Sequence, residues 1–267
     1  MPTKPKLGQN FLRDPQAIQR IVAALGNLSS RTVVEIGPGK GAITEALASR
    51  AGHLIAIELD RELAWNLQER FSPEKGVSNV SVVRKDVLEF DFAAAAKEAG
   101  QPLLVVGNLP YYITSPILLR LAAQASSLER AVLMVQREVA DRVTADHGSR
   151  DYGLLSATLQ LYGPAENLFT LPPEAFAPPP EVHSTVFRWS FVPTFAQLGV
   201  TEAPFISFLK QCFAQKRKTL SNNLRAAGFT ADAIAKAYTS AEVPAQVRAE
   251  ALPIDKFAAI WRTLVEG

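Results

Sequence analysis

Strands alternating with helices over the first two-thirds of the chain, and helices alone thereafter, predict an α/β protein with a small all-helical C-terminal domain. Three observations carry this reading. The apolar strand runs are short and largely uninterrupted, as in a parallel sheet covered on both faces. The segments between them carry amphipathic, helix-length patterns. A composition shift over 192–203, containing Pro193 and Gly199, then separates this pattern from one with helical periodicity only.

Taken in order, strands are expected at 32–36, 54–58, 80–84, 103–107 and 131–136. Helices are expected near 15–25, 42–50, 61–70, 116–124, 137–145 and 152–161, with 93–96 only a short helix-prone run. Two further strands, 165–171 and 182–191, follow with no long helix between them, as in an antiparallel hairpin edge. A Pro-rich stretch over 171–180 joins them. Helices at 203–213, 217–227, 231–240 and 253–265 complete the chain. The expected boundary divides 1–192 from 193–267.

The 267 residues suffice for one large domain plus a small one. A single cysteine, Cys212, excludes an internal disulfide and a multi-cysteine metal site, and His53, His147 and His183 are scattered, so no metal is expected. The basic start lacks the apolar core of a signal peptide, and no apolar run reaches the ~18 residues of a membrane span. The expectation is a soluble cytoplasmic monomer with no membrane partner.

Residues 108–112, Asn-Leu-Pro-Tyr-Tyr, follow the fourth strand, at the end of the sheet where open α/β folds bind ligands. Asn108 and the Leu109 carbonyl can accept hydrogen bonds from an amine. Pro110 limits the backbone and Tyr111 offers a flat stacking surface. These parts suit a planar, amine-bearing ring. At the other end, Glu35-Ile-Gly-Pro-Gly-Lys-Gly41 follows the first strand, with Gly37 and Gly39 allowing a tight turn. Glu58 ends the second strand, placed for ribose hydroxyls, and Asp86 ends the third, placed for an adenine amine. The glycines fit a dinucleotide as well as S-adenosylmethionine. Glu35 before the first glycine favours the cationic amino-acid end of S-adenosylmethionine. A turn for the glycines and a helix cap for Asp86 are the purely structural alternatives.

The ordered set GQNFL (8–12), EIGPGKGAIT (35–44), IELD (57–60), KDVLEFD (85–91), GNLPYYI (107–113), VLMVQREVADR (132–142), FAPPPEVHSTV (176–186) and QKRKTLSNNL (215–224) resembles the KsgA (RsmA) family of small-subunit rRNA adenine dimethyltransferases. The resemblance spans nearly the whole chain. It implies a class I, Rossmann-like methyltransferase sheet over 1–192 and a helical RNA-binding domain over 193–267. It implies S-adenosyl-L-methionine as methyl donor. The implied target is the exocyclic amines of two adjacent adenosines in the 3′-terminal hairpin loop of 16S rRNA, within the assembling 30S subunit. It also assigns Asn10 and Leu12 to a lid over the cofactor and Gly37 to its methionine part. Glu58 would hold the ribose, and Asp86 with Val87 the adenine. Asn108 would lie beside the sulfonium, with Leu109 and Tyr111 completing the target-base site and Phe176 stacking on the base.

From 203 to 231 the chain carries Lys210, Lys216, Arg217, Lys218 and Arg225 and no acid, against a net charge of only +2 overall. Lys216-Arg217-Lys218 is expected to open a helix and, with Arg225, to meet RNA phosphates. The amino end adds Lys4, Lys6, Arg13 and Arg20 against Asp14. Trp65, Trp189 and Trp261 read as core or subunit-packing residues, and Cys212 as inert. Gln136-Arg137-Glu138 reads as a helix start. Large-subunit rRNA methyltransferases, an assembly factor without activity and a dinucleotide-dependent oxidoreductase are the competing readings.

Overall fold

A computed structural model describes residues 10–266. Lys4, Lys6 and the Gly8-Gln9 start of GQNFL lie outside the described residues. The chain divides into two compact units, one of residues 10–140 with 164–192, the other of residues 141–163 with 193–266. One division falls between 192 and 193, and 141–163, assigned from sequence to the first domain, groups with the C-terminal helices.

The first unit is built on a seven-stranded sheet. Its strands are β2 (Thr32–Ile36), β3 (His53–Glu58), β4 (Val80–Arg84), β5 (Leu103–Asn108), β6 (Leu128–Gln136), β7 (Ala165–Leu171) and β9 (Ser184–Ser190), in the order β4-β3-β2-β5-β6-β9-β7. The first five are parallel, and β9 and β7 close the edge antiparallel. A separate pair joins β1 (Phe11–Leu12) to β8 (Phe176–Ala177). Helices α1 (Pro15–Ala24), α2 (Ala42–Ala48), α3 (Arg61–Arg70), α4 (Phe92–Ala99) and α5 (Thr114–Ala122) follow successive strands of the unit, and α6 (Arg137–Val143) carries the chain across the boundary. All five residues of β2 are buried, as are Leu103 to Val106 of β5, which is why these strands read as continuous apolar runs.

Local chemistry fixes the helix starts. The Asp14 carboxylate accepts from the Gln16 and Ala17 amides, and Asp60 from those of Glu62 and Leu63. The helix-prone run at 93–96 proves to be the middle of a full helix, α4. Asp91 caps it through the Ala94 amide at 2.9 Å, Gly100 ends it in the left-handed conformation at φ +66°, and Phe92 anchors it in the core.

The second unit comprises α7 (Leu154–Gln160), α8 (Phe195–Leu198), α9 (Glu202–Cys212), α10 (Leu220–Ala226), α11 (Ala231–Ser240) and α12 (Ile254–Glu266). Its core gathers Phe205, Phe208, Leu209, Leu224 and Phe257, with Cys212 buried among them. Burial raises the Cys212 thiol pKa, which leaves little reactive thiolate. Trp189 is buried in the first unit, and Trp261 packs 5.2 Å from the Phe208 ring. Trp65 departs from expectation, being 60 % exposed. On α3 the buried residues are Ala64 and Leu67, and Trp65 falls off that stripe. Among the described residues no helix is long and apolar enough to cross a membrane.

Candidate active site

The order β3-β2-β5 sends the chain from β2 to opposite sides of the sheet, and ligands gather at the carboxyl ends of strands at such a switch. A cavity of about 790 Å³ lies there, lined by residues that follow β2, β3, β4 and β5. Gly37, Glu58, Asp86, Val87, Asn108, Leu109, Pro110 and Tyr111 all border it, together with Asn10.

Glu58, Asn108 and Tyr111 are held by the backbone or by a neighbouring hydroxyl. Glu58 Oε2 accepts from the Gly39 amide at 3.0 Å and Oε1 from the Asp60 amide at 2.9 Å. Burial raises the Glu58 pKa, and those amides partly offset the rise by stabilising the carboxylate. Gly37 and Gly39 stand at φ +65° and +56°, and a Cβ on Gly39 would lie 2.8 Å from the Phe11 ring. Glycine is therefore required twice over at 39, for backbone angle and for space.

Asn108 Nδ2 donates to the Asn10 carbonyl at 2.8 Å. A carbonyl only accepts, so this bond turns the amide nitrogen toward Asn10 and leaves Oδ1 as the acceptor. Tyr111 is half-buried, and its hydroxyl shares a 2.7 Å hydrogen bond with Ser184 Oγ. Burial pushes the Tyr111 pKa up, so the ring is neutral. The Leu109 amide donates to the Met134 carbonyl at 2.9 Å and fixes the main chain just past β5.

Asp86 borders the cavity, and its Oδ1 also caps the turn at Val87–Glu89 by accepting from the Leu88 amide at 2.9 Å, which leaves the other oxygen for a ligand. Three expectations need correction. Glu35 does not border the cavity. It is buried within β2, its Oε2 accepts from Thr44 Oγ1 at 2.7 Å, and burial, with Glu58 nearby, lifts its pKa to about 7. Such a group is ill-suited to attract a ligand's cationic end. Leu12 and Phe176 are 6 % and 1 % exposed, lie in the hydrophobic core and do not border the cavity. The reason is strand alternation: Leu12 and Phe176 are register partners and share one face of the β1–β8 pair. The neighbouring Phe11 points the other way and lines the cavity.

The sequence reading missed Phe11, Lys85 and Tyr112, all at the cavity, and Ser184, which holds Tyr111. Tyr112 is 58 % exposed at the rim. Its doublet with Tyr111 was the available signal. In the second unit Lys216, Arg217, Lys218 and Arg225 are all exposed. The three cations do not open a helix. They sit in a turn, and α10 begins at Leu220 with Thr219 as its cap. Among the described residues no cluster of His, Cys, Asp and Glu is suited to a metal.

Residues 2–265 match the family model described as ribosomal RNA adenine dimethylase. A relative from Acidobacterium capsulatum, ribosomal RNA small subunit methyltransferase A, is 62 % identical over 98 % of this chain and 91 % of its own. A crystal structure of a dimethyladenosine transferase from Plasmodium falciparum superposes with a TM-score of 0.78 at 22 % identity, covering 96 % of this chain and 98 % of that one. The 23S rRNA methyltransferase ErmE superposes at 0.73 with 25 % identity, covering 96 % and 100 % of the two chains.

Proposed function

The chain belongs to the ribosomal RNA adenine dimethylase family, and from that premise we propose that it dimethylates the exocyclic amines of two adjacent adenosines in the 3′-terminal hairpin loop of 16S rRNA, with S-adenosyl-L-methionine as donor. The setting is the assembling 30S subunit in the cytoplasm, and the protein acts as a monomer.

The cavity fits that donor. The left-handed turn at Gly37 and Gly39 lets a ligand approach the main chain, Glu58 offers a carboxylate to ribose hydroxyls, and Asp86 retains one oxygen for an adenine amine beside Val87. The donor supplies a methyl group already activated on a sulfonium, so the remaining difficulty is the nucleophile. An adenine amine lends its lone pair to the ring and attacks poorly while planar. Asn108 Oδ1 and the Leu109 carbonyl accept its two N–H bonds and favour a pyramidal nitrogen. These bonds strengthen as positive charge grows on nitrogen, so they stabilise the transition state more than the ground state. The proton leaves the product ammonium to water. Glu58 is not needed as a base: each of its oxygens accepts from one backbone amide and keeps further acceptor capacity for the ribose.

The target base must leave its stack to reach this depth. Tyr111, fixed by Ser184, and the exposed ring of Tyr112 supply aromatic surface for it. Phe176, buried in the hydrophobic core, is given no part in holding the base. Lys216, Arg217, Lys218 and Arg225 meet RNA phosphates, which orient the substrate without reading its sequence.

The observation that carries the reading is the orientation of the Asn108 amide, with its nitrogen spent on Asn10 and its oxygen left to accept. Radiolabelled methyl transfer onto undermethylated 30S particles, with 23S rRNA in parallel and mass analysis of the nucleosides, tests it. Dimethyladenosine at two adjacent positions of 16S rRNA is expected. Label confined to 23S rRNA would overturn the assignment.

A further inference from the structure

An open groove of about 1000 Å³ runs between α3 and the edge strand β4, apart from the cofactor cavity, and none of the roles above uses it. It is lined by Arg61, Glu62, Ala64, Trp65, Gln68 and Arg84. Trp65 is an indole 60 % exposed on a helix whose apolar stripe lies elsewhere. Arg61 and Arg84 are exposed, and neither is in an ion pair among the described residues. Gln68 Nε2 donates to the Val82 carbonyl at 3.2 Å, which leaves its Oε1 as an acceptor.

We propose that this groove binds a single-stranded stretch of the RNA substrate outside the target nucleotide, one base stacking on Trp65 and the adjoining phosphates meeting Arg61 and Arg84. The proposal rests on the reading of RNA as substrate. Charge selects the occupant. Two unpaired guanidiniums against one carboxylate, Glu62, suit a polyanion, and an aromatic ring between them suits a base. A protein interface centres its tryptophans on apolar surface. Here, among the described residues, the only apolar neighbour of Trp65 in the groove is the small side chain of Ala64. Chain neighbours of two groove residues also border the cavity. Lys85, next to Arg84, and Leu59, two residues before Arg61 and 47 % exposed, both border the cavity.

The environments of the three tryptophans allow a direct test. Trp189 is buried and Trp261 is partly buried in the ring cluster of the second unit, so a stacked base quenches chiefly Trp65. Oligoadenylate should quench the fluorescence of the full-length protein, and Trp65→Phe should remove most of that quench. With undermethylated 30S particles, Trp65→Ala should raise KM about fivefold or more, the lower end of what one stacked base contributes, with kcat and cofactor binding unchanged. Arg61→Ala with Arg84→Ala should raise KM similarly and flatten its salt dependence. Quenching that survives in Trp65→Phe, or an unchanged KM in Trp65→Ala, would overturn the proposal. So would a Trp65→Ala variant that changes only the sedimenting mass, which would make the groove a contact between copies. The quenching measurement needs no turnover, so a wild-type protein that bound oligoadenylate through Trp65 but methylated no 30S particle would count against the proposed activity alone.

Discussion

The cavity of the α/β unit and the basic turn of the helical unit treat polar groups in opposite ways. At the cavity four groups are bound before any ligand arrives: Glu58 by two amides, Asp86 by one, Asn108 by the Asn10 carbonyl and Tyr111 by Ser184. In the turn the scaffold is fixed and the charges are free. Asn223 Nδ2 donates to the Cys212 carbonyl at 2.7 Å, and the Leu220 amide to the Val247 carbonyl at 2.8 Å. Lys216, Arg217 and Lys218 meanwhile stand exposed. The contrast separates two kinds of recognition. Chemistry on one nitrogen atom needs directional acceptors held in place, whereas a phosphate backbone needs positive charge that can adapt.

The comparison is broken most forcefully at Asn108. Asn108→Ala should lower kcat about 10³-fold, as loss of one preorganised transition-state contact does, while cofactor binding calorimetry changes little. The next largest effect concerns stability. The Glu35 carboxyl is held above its ordinary value, 4.5 raised to about 7, chiefly by burial. Its contribution is fully present below pH 4.5, where folded and unfolded states are both protonated. It is lost as pH rises toward 7, because the unfolded chain ionises first. Glu35→Gln should therefore stabilise the protein at pH 8 by on the order of 3 kcal/mol and flatten the fall in chemical-denaturation midpoint between pH 5 and 7. Glu58, also raised, leaves a residual slope in that variant.

Replacing Lys216, Arg217 and Lys218 together by alanine should weaken RNA binding about 30-fold at physiological salt. It should also reduce the slope of log affinity against log salt by about 2, with cofactor binding unaffected. A uniform loss across RNA sequences would confirm that the turn orients and does not read. The smallest effect is sought at Gly39→Ala, where the added Cβ would meet Phe11 at 2.8 Å and the backbone stands at φ +56°. Cofactor affinity should fall about tenfold, the range of a local strain of 1–3 kcal/mol, with RNA binding intact.

The sheet and most of the cavity were legible because their signals are local. The apolar runs of β2 and β5, the glycine turn and the Asn108–Tyr111 run each state their chemistry within a few residues. Helix α4 is equally legible in principle, since Asp91 and Gly100 mark its ends, but its run of alanines carries no apolar periodicity to announce its length. The strand pair β1–β8 was not legible. Two-residue strands show no alternation, so nothing in the sequence says that Phe11 faces the cavity while Leu12 and Phe176 face the core. The start of α10 was misplaced for another reason. Basic residues were read as its first turn, although Thr219, whose hydroxyl accepts from the Asn222 amide, is the stronger start signal. Glu35 shows a limit of motif reading: an acid before a glycine turn suggests ligand attraction, but β2 buries it against Thr44.

A crystal structure with S-adenosylhomocysteine and a hairpin RNA carrying the target adenosine tests the central claim most directly. Asn108 Oδ1 should lie about 3 Å from the exocyclic nitrogen, with Nδ2 still on the Asn10 carbonyl. An amide reversed so that its nitrogen meets the base, or an adenine amine seated away from position 108, would contradict it.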